Sequence, residues 1–437
     1  MKKIIILINA LFCLAPLFAQ DDVYPAKESK GLIFITNATI HVGNGQVISN
    51  GTVKINNGKI EQVGAGIAAT GDNAKVVDAK GKHVYPGLIL SNSDLGLREI
   101  ASGVRASNDF QEIGDFNPNI RSIVAYNSDS RIIGTLRTNG ILLVNVAPQG
   151  GLITGTSSVV QLDAWNWEDA AYKMENAMHF NMPTLITRQS RFAAFLGLGQ
   201  PSGDPVRQAL DRIESVKSFF REAKSYLAES THDEVNLQYE SVKGLFAKTQ
   251  KLFVHCDLVK QMLIAVDFAK EFGFDVVIVG GSESWQIADL LKQSNIAVIL
   301  SQEHSLPTTE DDDVDQPYKT PAALQKAGVL FALNDDDQNT RSRNLAFNAG
   351  TAAAYGLTKE EALTAITLNA AKILGIADKT GSLEAGKDAN IVISEGDILD
   401  MKTSIITNAF IQGREINLTD KHKQLYDRYQ HKYGIGK

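Results

Sequence analysis

Hydrophobic positions divide the chain into three stretches with different periods. Over residues 31–85, short β-type runs are separated by turn sequences such as Gly-Asn-Gly and Asn-Asn-Gly, a pattern typical of hairpins. Over residues 87–379, short apolar runs alternate with segments of helical periodicity, and short strands return near the C-terminus. A chain that begins β, continues α/β and ends β predicts a discontinuous small β domain beside a larger α/β unit.

Within the α/β stretch, six apolar runs predict buried strands: Ile141–Ala147, Val159–Leu162, Leu252–Val254, Val276–Val279, Ala297–Leu300 and Leu330–Leu333. The segments between them predict helices, including Pro205–Glu229, Val259–Phe272, Ser284–Gln293 and Thr320–Ala327. Alternation of strands and helices over this length predicts a parallel sheet, either open or closed.

The two ends of the chain differ from this pattern. Lys2 and Lys3 precede a mostly apolar run that ends near Ala19, so residues 1–19 are predicted to be a secretory signal peptide, with a membrane anchor as the alternative. We therefore expect an exported protein, periplasmic in a Gram-negative cell, without an integral membrane anchor. Residues 419–437 are charged, and their tyrosines recur at helical spacing, which predicts a C-terminal helix.

Composition restricts the partners. The 437 residues exceed one compact domain. Loss of the predicted leader, with Lys2 and Lys3, changes the formal charge from −7 to −9, which argues against nucleic acid or an anionic membrane as a partner. The absence of basic patches with interleaved aromatic residues also disfavours nucleic acid. Loss of the leader would leave Cys256 as the one cysteine, so no internal disulfide is expected.

Candidate chemistry begins at the stretch Pro86–Leu97. A short apolar run there ends in small and polar residues, among them Asn92 and Asp94. Positions i and i+2 of a strand point to the same face. Asn92 and Asp94 are therefore predicted to project together from a strand end, as the start of a metal or substrate site.

Three segments resemble the amidohydrolase superfamily, close to its imidazolonepropionase-like group: Lys80–Ile89, Gly350–Ile376 and Gly381–Val392. The resemblance implies a (β/α)₈ TIM-like barrel with a small discontinuous β-sandwich domain. It places the β-sandwich at residues 31–86 and 380–418, the barrel at 87–379, and a helical tail at 419–437. Active sites of such barrels lie at the C-terminal ends of the strands.

The resemblance also implies one or two divalent metals that activate a water for attack on an amide or cyclic amide. The expected ligands are a His-x-His pair, a bridging lysine or glutamate, two later histidines and a final aspartate that acts as general base. Asn92 and Asp94 stand at the His-x-His pair, and His255 matches the first later histidine. Gly280 and Gly281 stand where the second is expected. No bridging residue is identified.

For the final aspartate, Asp336 is the best match, with Asp335 or Asp337 as alternatives under a one-residue shift. The expected site is then a carboxylate-rich mononuclear one formed by Asp94, His255 and Asp336, with Asp336 as the base. It would hold either one divalent ion, zinc or manganese, or none. Asn92 and Glu283 are expected to contact a small amide-type substrate.

Two functions follow from this reduced ligand set. The first is a metal-dependent hydrolase of carbon–nitrogen bonds in a small substrate, with an altered metal site. The second is a catalytically inactive homologue that serves as a binding or partner subunit. The resemblance leaves both a homo-oligomer and a pairing with an active relative open.

Overall fold

The computed structural model describes residues 23–71, 73–99, 109–185, 204–229, 231–301, 303–307, 311–335 and 339–435. The predicted leader and the predicted base, Asp336, lie outside these residues. The strands are β1 Leu32–His41, β2 Val47–Asn56, β3 Lys59–Ala65, β4 Lys75–Asp78, β5 His83–Pro86, β6 Leu88–Ser93, β7 Ile141–Val146, β8 Ile153–Gln161, β9 Ala171–Asn181, β10 Lys251–Cys256, β11 Val276–Gly280, β12 Ala297–Leu300, β13 Phe331–Leu333, β14 Ile391–Ser394, β15 Ile406–Ile411 and β16 Arg414–Glu415.

Helices occupy most of the outer wall of the larger unit. They are α1 Ser122–Ala125, α2 Arg131–Arg137, α3 Trp167–Ala170, α4 Pro205–Ala228, α5 Leu237–Ser241, α6 Lys243–Phe246, α7 Val259–Phe272, α8 Ala288–Gln293, α9 Gln316–Ala327, α10 Leu345–Ala354, α11 Lys359–Ala365, α12 Leu368–Leu374 and α13 Lys421–Tyr433. Local signals set several ends: Asp204 caps α4 before Pro205, and Gly273 ends α7 in the left-handed conformation. In the described part of the chain, no helix is both long and apolar enough to cross a bilayer.

The smaller domain is built from both ends of the chain. Its sheet has the order β16-β15-β14-β5-β1-β2-β3, and β4 pairs with β1. The junction lies where β14 pairs antiparallel with β5, so that Ile391 faces Pro86. The predicted discontinuous β domain is therefore confirmed.

The larger unit is a barrel of eight strands in the order β6 to β13, as the resemblance implied. Apolar side chains fill its interior, among them Ile89, Phe253 and Ile299. Helix α12 packs against these residues at the N-terminal ends of the strands, where Lys251 of β10 donates to the carbonyls of Lys372 and Ile373. The lower end of the barrel is thus closed, and its C-terminal end is where a site can form.

One strand runs opposite to the expected direction. Strand β8 pairs antiparallel with both β7 and β9, whereas the other neighbouring pairs of the barrel are parallel. The connection 147–152 between β7 and β8 is too short for the crossover of a dozen or more residues that parallel strands need. The expectation of a uniformly parallel sheet was wrong at this strand.

Candidate functional site

A layer of polar side chains lies directly above the apolar interior of the barrel. Side chains alternate along a strand, so the next inward position after Ile89, Leu143, Ala177, Phe253 and Ala332 is a polar residue in each case. In the antiparallel β8, Ser157 takes the equivalent place beside Val159. The polar layer consists of Ser91, Asn145, Ser157, His179, His255 and Asn334, and all of them except the half-buried His255 are fully buried.

Asn334 joins the last strand of the barrel to the first. Its Oδ1 accepts hydrogen bonds from the backbone N–H groups of Ser91 (2.9 Å) and Asn92 (3.0 Å), and its Nδ2 donates to the carbonyl of Asn92 (2.9 Å). A single amide side chain therefore supplies the pairing that main-chain groups supply elsewhere in the barrel. This contact fixes the backbone of Asn92 at the strand end.

Two imidazoles of the polar layer contact each other. The Nδ1 of His179 lies 2.8 Å from the Nε2 of His255, on neighbouring strands β9 and β10. Burial lowers the pKa of His179 well below its usual range, and burial lowers the pKa of His255 to about 4. Both rings are thus neutral near pH 7, and one N–H is shared between the two nitrogens.

Several buried polar atoms of this layer have no hydrogen-bond partner among the described residues. They are the Oγ of Ser91, the Oδ1 of Asn145 and the Nε2 of His179. Asn145 uses only its Nδ2, which donates to the carbonyl of Ser91 at 3.1 Å. Unpaired polar atoms at this depth are rare in folded proteins and point to water or a ligand.

Asp94, a predicted metal ligand, forms an ion pair with Arg98, and its role as a ligand stays a prediction. The Nε of Arg98 lies 3.0 Å from the Oδ2 of Asp94, and both side chains are largely buried. Burial raises the pKa of Asp94, and the Arg98 charge opposes that rise. The Nη2 of Arg98 donates to the Oε1 of Gln149 at 2.9 Å, and the guanidinium lies 3.8 Å from the ring centre of Phe110. Asp94 is therefore already neutralised by a fixed cation.

The neighbouring Asn92 could offer a cation only its amide oxygen, which is a poor zinc ligand. Its backbone groups are held by Asn334, and its Oδ1 is buried with no partner among the described residues. A register irregularity lies between Leu90 and Ser93, so the strict alternation that predicted a common face for Asn92 and Asp94 is interrupted there.

The sixth barrel strand has no room for the missing imidazole. Gly280 and Gly281 both have positive φ, at 104° and 64°. A Cβ atom at Gly280 would lie 2.7 Å from the Oδ1 of Asp257 and 2.9 Å from the carbonyl oxygen of Cys256. The glycine turn thus wraps closely around the end of β10, and any larger residue there would collide with it.

Glu283 follows this turn and contacts a helix terminus. Its Oε2 accepts from the backbone N–H of Val259 at 2.8 Å, the first residue of α7. This bond satisfies a donor that the helix leaves unpaired. The predicted contact of Glu283 with substrate stays a prediction.

At the end of β13, Asp335 is the one candidate aspartate within the described residues. It is buried, and its Oδ2 accepts from the Nδ2 of Asn348 at 3.0 Å. Asp336 and Asp337 lie outside the described residues. The predicted role of Asp336 as ligand and base therefore stays a prediction.

The described residues do not fit the divalent metal that the resemblance implies. Asp94 is paired with Arg98, and the Nε2 of His255 faces His179. Asn92 contributes only an amide oxygen, which is a poor zinc ligand. No group of three His, Cys, Asp or Glu side chains is arranged to hold a metal ion in the part of the chain that the structure describes.

Sequence reasoning assigned no role to His179 or Arg98. His179 lies two residues after Ala177 in an apolar run, and this inward alternation was the available signal. Arg98 follows Asp94 by four residues, a spacing that brings two side chains together in a helical turn. Neither signal identifies the contacts from other elements, which are His255 for His179, and Gln149 and Phe110 for Arg98.

Known proteins resemble this chain over most of its length. The model of the amidohydrolase family matches residues 225–416. Among curated proteins, an imidazolonepropionase of Thermoplasma volcanium is 24% identical over 363 residues, which cover 80% of this chain and 85% of that protein. An imidazolonepropionase of Mesorhizobium japonicum is 24% identical over 373 residues, covering 79% and 87%.

Among solved structures, an amidohydrolase from Thermotoga maritima superimposes with a TM-score of 0.76 and 26% identity. The match covers 88% of this chain and 99% of the other. The similarity thus extends over both the barrel and the small β domain.

Proposed function

Because the chain belongs to the amidohydrolase superfamily, in its imidazolonepropionase-like group, we propose that it binds a small amide-type compound at the C-terminal end of the barrel. It does so without the divalent ion that the family resemblance implies. In this function the chain is a binding homologue of the family's hydrolases, acting alone or beside an active relative.

The ion pair between Arg98 and Asp94 carries this proposal. A divalent ion at Asp94 would lie within a few ångströms of the buried guanidinium, whose Nε is 3.0 Å from the carboxylate. Like charges at such a distance repel strongly in a partly buried site. Arg98 therefore neutralises the carboxylate of Asp94 without a metal ion.

The unpaired atoms of the polar layer support a ligand in the same place. Each buried donor or acceptor without a partner costs about 1–3 kcal/mol, and Ser91, Asn145 and His179 each present one. A compound with both an N–H and a carbonyl can satisfy an acceptor such as the Oδ1 of Asn145 and a donor such as the Ser91 hydroxyl. An amide has both groups.

The experiment measures the melting temperature of the purified protein with hydantoin, dihydrouracil and glycyl-proline amide, each with and without EDTA. At least one compound should raise the melting temperature equally in both conditions, since a ligand that binds only the folded state stabilises it. A rise that disappears with EDTA, or no rise with any of the compounds, contradicts the proposal.

A matched pair of substitutions locates the ligand. Ser91→Ala removes a hydroxyl that has no partner among the described residues. The free protein should therefore be as stable as the wild type or slightly more stable, but the ligand should raise its melting temperature less. Ser394→Ala removes an equally buried and unpartnered hydroxyl in the small β domain and should leave the rise unchanged. Equal effects of the two substitutions would place the ligand elsewhere.

Hydrolysis of a carbon–nitrogen bond with an altered metal site is the second candidate. The pair of neutral imidazoles at the ends of β9 and β10, with buried Asp335 at the end of β13, favours it, because such groups are used in proton transfer and metal binding. Hydrolysis of the same three compounds after loading with Zn²⁺ or Mn²⁺, abolished by Asp336→Asn, would establish this function in place of the first.

The proposed location is the periplasm or another extracytoplasmic compartment. It rests on the predicted leader at residues 1–19. Cell fractionation and the mass of the secreted chain test it, since cleavage after Ala19 leaves Gln20 as the first residue. A full-length chain in the cytoplasmic fraction would refute it.

A further inference from the structure

The C-terminal helix α13 has no buried side chain, although it carries three tyrosines. Tyr426, Tyr429 and Tyr433 are 64%, 52% and 63% exposed, and Ile435 just beyond the helix is 64% exposed. A helix of this length is marginal by itself in water and usually gains its stability by packing an apolar face. The tyrosine side of α13 has no such packing within the described residues.

The tyrosines form one stripe along the helix. They are spaced i, i+3 and i+7, which places them on a single face, and the rings of Tyr429 and Tyr433 stack with centres 6.3 Å apart. Another face, with Lys421, Gln424, Leu425 and Arg428, lines a groove against helix α2 and the segment Leu162–Trp165. The tyrosine stripe therefore lies on a different side of the helix from this groove.

The helix is held in this form by its ends. Asp420 accepts from the backbone N–H of Lys423 at 2.8 Å as the N-cap, and Gly434 ends the helix with φ 63°. Asp420 also accepts from the hydroxyl of Thr138, just beyond helix α2, at 2.7 Å. The stripe is thus presented by a helix fixed to the body of the protein.

The charge of α13 is opposite to that of the whole chain. The helix carries four basic residues and a single acidic one, Asp427, whereas the chain as a whole has a formal charge of −7. Lys423 and Lys432 flank the tyrosine stripe, and the other two basic residues line the groove. The ammonium of Lys432 lies 5.1 Å from the ring centre of Tyr433 and 5.7 Å from that of Tyr429. Positive charge and aromatic surface therefore coincide on this stripe.

We propose that the tyrosine stripe of α13 binds an anionic lipid surface. Tyrosine is enriched at the boundary between water and lipid, where its ring is buried and its hydroxyl stays hydrated. Lysine and arginine beside such a face each add roughly 1 kcal/mol of attraction to an anionic membrane. The helix lies along the surface, and no described helix crosses a bilayer. This inference does not depend on the proposed function of the barrel.

The experiment measures co-sedimentation of the full chain with vesicles of phosphatidylglycerol and of phosphatidylcholine. Wild type should bind the anionic vesicles, and binding should weaken with added salt. The variant Tyr426→Ser/Tyr429→Ser/Tyr433→Ser should bind about tenfold more weakly because it loses the aromatic surface. The variant Lys423→Glu/Lys432→Glu, which keeps the tyrosines, should lose binding to a similar degree.

A control substitutes exposed apolar residues elsewhere. Val235→Ser/Leu237→Ser changes two side chains that are 67% and 68% exposed, and binding should stay at the wild-type level. All variants keep residues 1–22, so binding through the N-terminal segment would persist in all of them. Circular dichroism confirms that each variant keeps its helix content.

Three outcomes would overturn the inference. The first is that wild type fails to bind anionic vesicles at low salt. The second is that the tyrosine variant binds as well as wild type. The third is that wild type binds phosphatidylglycerol and phosphatidylcholine vesicles equally. If wild type is a dimer in solution and the tyrosine variant a monomer, without vesicle binding by either, the stripe is an interface between copies and the lipid proposal is wrong.

Discussion

At the scale of single residues, the proposed metal-free site depends on the ion pair between Asp94 and Arg98. From the sequence alone, the carboxylate of Asp94 at the end of the first barrel strand is predicted to be a metal ligand. The structure places a guanidinium 3.0 Å from it and encloses that guanidinium between Gln149 and Phe110. The charge that a metal would bring is already supplied by the protein.

Breaking this ion pair should destabilise the protein strongly. Arg98→Met leaves the buried carboxylate of Asp94 without its counter-ion, and such a loss costs about 3 kcal/mol. The double variant Asp94→Asn/Arg98→Met should regain most of this, because neither charge remains unpaired. Urea unfolding at pH 7 measures both free energies.

An exposed ion pair provides the control. Arg221→Met breaks contacts to Glu214 and Glu271 on the surface and should change stability much less than Arg98→Met does, because solvent screens exposed ion pairs. If Arg98→Met lowers the free energy of unfolding no more than Arg221→Met does, then the ion pair between Arg98 and Asp94 does not contribute to stability as a buried pair should.

The imidazole pair predicts a loss of stability in acid. Burial holds the pKa of His179 well below its ordinary value and that of His255 at about 4, whereas both titrate near 6.5 in an unfolded chain. Between about pH 6.5 and 4 the unfolded state binds protons that the folded state does not, so the free energy of unfolding falls as the pH falls. Each proton contributes up to about 1.4 kcal/mol per pH unit.

Substitution of His179 tests this effect directly. His179→Asn should flatten the fall in the free energy of unfolding between pH 6.5 and 4.5 relative to wild type. Urea unfolding at several pH values gives the curves. Parallel curves for wild type and His179→Asn would contradict the account.

Residue-level reasoning from sequence was accurate where strand alternation alone determines direction. His255 does lie on an inward position of its strand, as its place after Leu252–Val254 indicated. His179 and Arg98 were missed because their meaning comes from partners: one lies on the neighbouring strand, and the other is defined by Gln149 and Phe110 from separate loops. Such partners are set by the tertiary fold.

At the scale of elements, the closure of the barrel depends on Asn334. Main-chain pairing links β6 through β13, and the side chain of Asn334 completes the ring by binding Ser91 and Asn92. The same bonds hold the first strand end, which contributes Ser91 and Asn92 to the site. Closure of the fold and shape of the site thus rest on one amide.

Loss of this amide should be costly. Asn334→Ala removes three hydrogen bonds and leaves two backbone N–H groups and a carbonyl near Asn92 without partners, with an expected loss of about 2–4 kcal/mol in the free energy of unfolding. Asn408→Ala, which removes a bond to Glu415 at an exposed position, should cost less than about 1 kcal/mol. Equal effects in urea unfolding would refute the closing role of Asn334.

Element prediction from sequence succeeded for most strands and failed for the direction of one of them, β8. Helix α7 spans the predicted Val259–Phe272, and the predicted strand Ala297–Leu300 is β12. The pattern at Val159–Leu162 marked only the end of β8, which begins at Ile153 and runs antiparallel. Thr154, Thr156, Ser157 and Ser158 interrupt the apolar run, so the hydrophobic pattern hid the first half of the strand.

At the scale of the whole molecule, the two ends of the chain form one domain and the middle forms the barrel. The β–α/β–β order along the chain predicted this arrangement, and β5 and β14 pair as it requires. The kind of site could not be predicted in the same way. Ligand identity depends on a few side chains at strand ends, and a barrel tolerates many different sets there.

The proposed binding site at the C-terminal end of the barrel is electrically balanced without a divalent ion. The most direct measurement is the metal content of the purified full chain after dialysis, followed by calorimetric titration with Zn²⁺ and Mn²⁺. We predict far less than one equivalent of metal and no saturable binding at micromolar concentrations, with no change in melting temperature. About one tightly bound equivalent of either ion, lost in Asp94→Asn or His255→Asn, would contradict the account.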